Sequence, residues 1–309
     1  MKSLGARRAD RLFTAVLLTF ALCVAAVAAL FVYELGAQAA EAWSRLGAGV
    51  LTGSVWRPAQ GDFGALPLLY GTVVSAAIGT VLGAVVGVSA ALFLTQYTRF
   101  RAVGRLGSLV DLLGTVPSVV YGLWGLLVLA PWLRTVAEPA LGRALWFIPL
   151  FRGGPHGADV FAAGLVLGIM VLPTVTAVAQ SVMKAVPAEL RDGALALGAT
   201  RFEMTMMTVL PGARWGIVGS VALGLSRALG EAVAVALVVG HRATMTLSLF
   251  APGETMASAI VRDFSLGAGH LHMAVLYEIA LILLVLTSTT YGVGRLLVWR
   301  VARQAEVWP

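Results

Sequence analysis

Six runs of 22 or more residues, apolar almost throughout, divide this chain at about 12–33, 66–94, 112–133, 160–183, 215–240 and 273–294. A helix of about 22 residues is roughly 33 Å long, enough to cross the roughly 30 Å hydrocarbon core of a bilayer. In lipid the backbone must satisfy its own hydrogen bonds. The expected fold class is therefore an all-α integral membrane protein with six spans. Only 12% of the 309 residues are charged and 59% are hydrophobic, far from the roughly 25% charged fraction of soluble domains. The loops are too short to fold alone, so residues 12–299 read as one domain between a short N-terminal segment, 1–11, and a tail, 300–309. The first run exceeds the apolar core of about 7 to 15 residues in a cleaved signal peptide, and an uncleaved first helix is expected.

The formal charge of +7 does not point to nucleic acid, because the basic residues lie between apolar runs rather than along one face. They sort by side instead. Segments on the side of the N-terminus hold fourteen Lys and Arg and those on the other side hold seven, with Arg227 left inside a run. That bias predicts both termini in the cytoplasm. Cys23 is the single cysteine and the four histidines are scattered, so neither a disulfide nor a three- or four-ligand metal site is expected. No Lys-bearing phosphate loop, Gly-x-Ser-x-Gly elbow or His-Glu-x-x-His pair is present, and no catalytic residue is assigned.

Within the runs, Pro117 and Pro173 are the expected helix breaks, each freeing a backbone carbonyl that something nearby must satisfy. A simple kink at Pro117 is the plainer form of that expectation, with Thr115 and Ser118 placed to help. Gly71, Gly79, Gly83 and Gly87 recur at multiples of four and predict close packing of the second span. Residues 34–65 and 134–159 read as irregular external segments. Met256, Ile260 and Phe264 suggest a short helix lying on the membrane surface. Glu278 is expected near the outer end of the sixth span, in reach of water.

The segment from Glu189 to Glu231 carries the functional expectations. Its first part, to Arg214, sets Arg191, Asp192, Arg201 and Glu203 among Leu195, Leu197, Phe202, Met206 and Met207, as an amphipathic helix pair outside the lipid would. Its second part places Arg227 and Glu231 inside the fifth run, where charge costs about 2.5 to 3.5 kcal/mol per residue. Four residues apart on one helix, the two would share a face. A structural ion pair and a substrate-pathway pair both fit that spacing.

Asp192-Gly193-Ala194, three residues, Gly198, nine residues, Thr208, one residue and Leu210-Pro211 resembles the Glu-Ala-Ala loop of binding-protein-dependent ABC importers. The spacing matches at every position; Asp192, Gly193 and Thr208 depart from Glu, Ala and Ile. Further strings are Trp56-Arg-Pro58, Phe63-Gly64-x-Leu66-Pro67, Thr115-Val-Pro-Ser118-Val-Val-Tyr-Gly122 and Arg227-Ala-Leu-Gly-Glu231. With them the chain is similar, over nearly its whole length, to the phosphate permeases of the Pst system, and more to the PstC than to the PstA subunit.

The resemblance implies a six-helix ABC importer transmembrane domain in the bacterial cytoplasmic (inner) membrane, moving inorganic phosphate. Another oxyanion, such as molybdate, tungstate or sulfate, would suit the same arginine, and an intramembrane enzyme is the remaining alternative. It implies a PstA-like second permease, a PstB-like ATPase dimer that uses ATP and Mg, and a PstS-like external phosphate-binding protein, with membrane lipid around them. The loop 184–214 would couple to the ATPase through Glu189, Arg191, Asp192, Gly193, Ala194, Gly198, Ala199, Arg201, Leu210 and Pro211. Arg227 and Glu231 would line the substrate pathway, and no cofactor is expected on the chain itself.

Overall fold

The computed structural model describes residues 4–96, 101–265 and 269–306. Ten helices organise them: α1 Leu4–Leu46, α2 Leu66–Gln96, α3 Arg101–Thr115, α4 Ser118–Ala144, α5 Val160–Lys184, α6 Ala188–Ala196, α7 Arg201–Gly230, α8 Val233–Val238, α9 Met256–Ser265 and α10 His270–Glu306. Six of these, α1, α2, α4, α5, α7 and α10, are long and apolar enough to cross a membrane. The only sheet among the described residues is a hairpin, β1 Trp56–Arg57 with β2 Asp62–Phe63, between α1 and α2.

Small residues decide how closely the central helices approach. A β-carbon on Gly79 of α2 would fall 2.5 Å from Leu167 Cβ on α5, and one on Gly87 would fall 3.1 Å from the Leu172 carbonyl. Helix backbones in lipid gain by such contact, since apolar side chains have no hydrophobic reason to prefer each other over lipid tails. Thr176 adds a bond across the same seam, donating to Gly87 O at 3.1 Å. On the other flank α7 meets α10 at Gly219 and Gly294, and Ser226 donates to Thr287 O at 2.9 Å.

Three buried clusters stack along the bundle. One, at the end holding the hairpin, gathers Ala42, Val50, Trp56, Leu68, Met256 and Ile279. A middle cluster joins α5 to Ala76, Ala228, Leu229 and Val235, and a third at the opposite end holds Ala91, Met183, Met204 and Ala213. The apolar window of α1 has no buried residue; among its described side chains only those at the far end, Ala39 and Ala42, are buried.

Several expected boundaries move. α1 continues past 33 to Leu46, because Gln38 donates to Glu34 and Arg45 pairs with Glu41 at 2.9 Å, so helical spacing accommodates these polar residues. The expected third span, 112–133, is not one kinked helix. Pro117 sits outside both α3 and α4 with ψ 140°, since it lacks an N–H and disfavours helical backbone at Val116. α4 then runs on to Ala144, into what was expected to be loop. Pro173, by contrast, breaks nothing: α5 is continuous through it, with Thr176 donating to Leu172 O in the following turn.

The expected fifth span, 215–240, is also redrawn. α7 begins at Arg201 and ends at Gly230, so the expected 184–214 loop from Arg201 onward belongs to a membrane helix. Glu231 adopts extended backbone, and α8 follows separately. α9 packs into the protein through buried Met256, Ala259 and Asp263 rather than lying on the membrane. Glu278 is 3% exposed with neither carboxyl oxygen bonded, not in reach of water.

If the α2–α5 seam holds the bundle together, Gly79→Val lowers stability by about 1–3 kcal/mol through overpacking. Gly36→Val, with nothing within 4 Å of the added carbon, leaves it nearly unchanged. Thermal unfolding of the two variants in detergent reads the difference.

Candidate substrate pathway and coupling turn

Two interruptions of the helical ladder lie beside the same part of α5. At the first, between α3 and α4, Thr115 donates to Leu112 O at 2.8 Å and Tyr121 donates to Leu113 O at 2.7 Å. Pro117 has no N–H for the Leu113 carbonyl four residues back, and the Tyr121 hydroxyl takes that place, while Thr115 bonds the neighbouring Leu112 carbonyl. Gly114 packs on the Pro173 ring, which a β-carbon would approach to 3.4 Å. At the second, after Gly230, the Glu231 carboxylate accepts from Ala234 N at 3.3 Å and so caps α8.

Arg227 stands one turn before that second break, in the last turn of α7, with its side chain exposed. Its guanidinium donates to Thr174 Oγ1 at 3.3 Å. Thr174 is the fifteenth of the 25 residues of α5, so the contact lies near the middle of that span. The expected Arg227–Glu231 pair does not form within 4 Å. The helix ends between the two, and the geometry that would bring residues four apart together is lost. Arg227 therefore meets a hydroxyl and open space. Thr174 was not singled out from the sequence; its position directly after Pro173 is the signal that could have found it.

The second candidate region is the turn between α6 and α7. Gly198 has φ +88°, and the bonds Ala199 N to Ala194 O (3.1 Å) and Gly198 N to Leu195 O (3.0 Å) close α6 in a Schellman motif. Two residues later Thr200 caps α7: Glu203 N donates to its hydroxyl at 3.2 Å, while its own N–H donates to the Glu203 carboxylate at 2.8 Å. Arg191 ties α6 to α5 by donating to Met183 O. Ala194 packs against the third cluster. Glu189, Asp192, Gly193 and Arg201 face outward, and Ala199 is half-buried. Leu210 and Pro211 lie inside α7, just after a π-helical turn over Thr205–Val209. Such a widened turn makes room for a ring that cannot donate to the carbonyl four residues back.

The turn presents apolar side chains to its surroundings: Leu197 is 91% exposed, Met207 76% and Phe202 64%. Grouped on a short helical turn among charges, they form a surface suited to a groove in a partner.

At the hairpin end lies an ion network that sequence spacing does not reveal. Buried Glu254 pairs with Arg262 and lies 3.5 Å from His241, and Asp263 pairs with Arg262 at 2.7 Å and His272 at 3.2 Å. His270 pairs separately with Glu41 at 2.6 Å. Among the described residues no three potential ligands gather around a metal-sized space.

A phosphate transport system permease protein PstC from Mesorhizobium japonicum is 37% identical over 265 residues, covering 84% of this chain and 81% of that protein. One from Haemophilus influenzae is 34% identical over 293 residues, covering 94% and 93%. The chain belongs to the PstC family of permeases. A PstC protein from Pasteurella multocida is 35% identical over 85% of the chain and 83% of its own length. No protein-family model matches. Among solved structures, a chain of the MetNI methionine ABC transporter superimposes with TM-score 0.53 at 18% identity, over 77% of this chain and 94% of that one. That likeness identifies the fold as an ABC importer transmembrane domain. Members of the family are multi-pass membrane permeases, and so is this chain.

The turn geometry gives a direct test. Gly198→Val places a branched side chain at φ +88°, at a cost of more than about 1 kcal/mol, whereas Gly198→Asn tolerates the left-handed backbone. Gly193→Ala, in open space on a regular helix, is neutral or stabilising. Thermal unfolding of the three variants should rank them in that order, Gly198→Val lowest.

Proposed function

We propose that the chain is the permease subunit of an ATP-driven importer that carries inorganic phosphate across the bacterial cytoplasmic membrane, with both termini in the cytoplasm. The supporting observation is the similarity of almost the full chain to PstC phosphate transport permeases, joined to a lone arginine near mid-span. A guanidinium keeps its charge and offers paired donors that match a phosphate's oxygens. At that depth in the span its one hydrogen-bond partner among the described residues is a threonine, which leaves the rest of the exposed guanidinium to an anion passing beside it.

In this reading Arg227 binds phosphate in transit. Glu231, acceptor of a backbone bond, fixes the break that sets the position of Arg227 and does not itself hold the anion. A PstA-like permease completes the pathway and a PstS-like protein delivers phosphate to the hairpin end. A PstB-like ATPase dimer seats Leu197, Phe202 and their neighbours, its ATP and Mg bound in that partner alone. ATP hydrolysis moves the α6–α7 turn, and α7 carries the movement to Arg227 along one helix.

Uptake of labelled phosphate by cells expressing the complete transporter tests the assignment. Arg227→Gln should cut uptake more than about tenfold, the scale of losing one charge-assisted bidentate contact, while the complex still assembles. The double variant Arg227→Met with Glu231→Gln should stay inactive. Near-normal uptake by the assembled double variant contradicts a pathway role for the arginine. Competition by sulfate or molybdate equal to that by phosphate would assign another oxyanion.

A further inference from the structure

At the hairpin end, residues 145–159 are zipped to the 240–255 loop. Leu249 N donates to Leu150 O at 2.9 Å, Phe161 N to Leu249 O at 3.0 Å, and His156 Nδ1 lies 2.9 Å from Phe250 O. One edge of this zipped pair rests on two carboxyl groups, Glu138 of α4 and Asp159 at the start of α5, which are 2% and 0% exposed. Each spends one oxygen on the backbone. Asp159 Oδ1 accepts from Ala162 N at 2.8 Å, capping α5, and Glu138 Oε2 accepts from Gly157 N at 3.3 Å. The remaining oxygens, Glu138 Oε1 and Asp159 Oδ2, are buried without a donor, and the Glu138 carboxyl lies close enough to act directly on Asp159, Glu138 holding Gly157 two residues before it.

Two carboxylates in contact away from water cannot both stay ionised. No cation relieves them. Arg134 of α4 lies beside Gly157, and His156, His241 and Arg242 are on the adjoining loops, but all four are exposed. Glu138 is the one ionisable side chain acting on Asp159. A single proton between the orphan oxygens would satisfy both.

We propose that Glu138 and Asp159 share one proton and form a clasp that fastens the 145–159 segment, with the loop zipped to it, onto the end of α4, and that alkaline medium opens the clasp. On opening, the O–H bond of the acid breaks, the proton passes to water or hydroxide, and the two resulting carboxylates repel. No other covalent bond changes.

Burial pushes the Asp159 carboxyl up to about 8; the Ala162 amide works against this and the Glu138 charge adds to it. The folded chain thus keeps a proton that an unfolded aspartate gives up above about 4. Stability from this pair falls as pH rises from about 4 towards 8 and then levels off.

The test is tryptic cleavage after Arg152, exposed in the clasped segment, on the full-length chain in detergent between about pH 6.5 and 9. A free peptide spanning 145–159 corrects for the protease's own pH dependence. Corrected cleavage of the wild type should rise roughly fivefold or more, because a group titrating near 8 goes from mostly protonated to mostly ionised over that range. Glu138→Gln supplies an amide donor at every pH and should give a flat profile, as should Asp159→Asn, which also keeps the helix cap. A flat wild-type profile overturns the clasp, and so does a rise that both variants share. If neither variant accumulates, the wild-type profile decides alone, a rise supporting the clasp and a flat line overturning it.

Discussion

A backbone that leaves its helical ladder inside lipid must find hydrogen-bond partners there, and the architecture of this chain follows from how it does so. Pro117 removes one donor and ends a helix; the hydroxyls of Thr115 and Tyr121 then take the Leu112 and Leu113 carbonyls. The end of α7 at Gly230 is answered by the Glu231 carboxylate on Ala234 N. Both interruptions border α5 around Pro173 and Thr174. Irregular backbone is tolerated at membrane depth where it is enclosed by protein or lines a cavity. The one arginine of this region stands beside the second interruption.

The same constraint links the site to the surface. α7 is continuous from the capped turn at Thr200 to Arg227, 26 residues further on than Arg201, which is about 39 Å of helix. A displacement of the exposed turn by a partner therefore reaches the arginine without crossing a loop. The π-helical turn at Thr205–Val209 is the one softened stretch along that rod. Tight glycine contacts of α7 with α5 at Gly216 and Gly224 and with α10 at Gly219 leave the rod little room to bend elsewhere.

The class of the fold was legible because apolar run length has few physical explanations, and the glycines of α2 announced their seam by spacing alone. The Gly198 turn was equally readable, since its motif fixes the residue without a side chain, whereas the Thr200 cap two residues later was not singled out. Boundaries were less so. Hydropathy follows lipid, whereas helices follow hydrogen bonds, so α1 and α7 run on through polar residues that pair or cap locally. The Arg227–Glu231 spacing suggested a pair only on the assumption of unbroken helix. Nothing local marks the contacts of Thr174 with Arg227 or Glu138 with Asp159, because each joins segments brought together by the fold.

The central claim is that Arg227 and Thr174 face a water-filled route for phosphate rather than lipid. Cys23 is the only cysteine, so Cys23→Ala supplies a clean background for Thr174→Cys in the assembled transporter. Labelling of that cysteine by a membrane-impermeant, water-soluble thiol reagent, slowed by phosphate, is the result the account predicts. Reaction with a lipid-soluble maleimide alone, unaffected by phosphate, would contradict it.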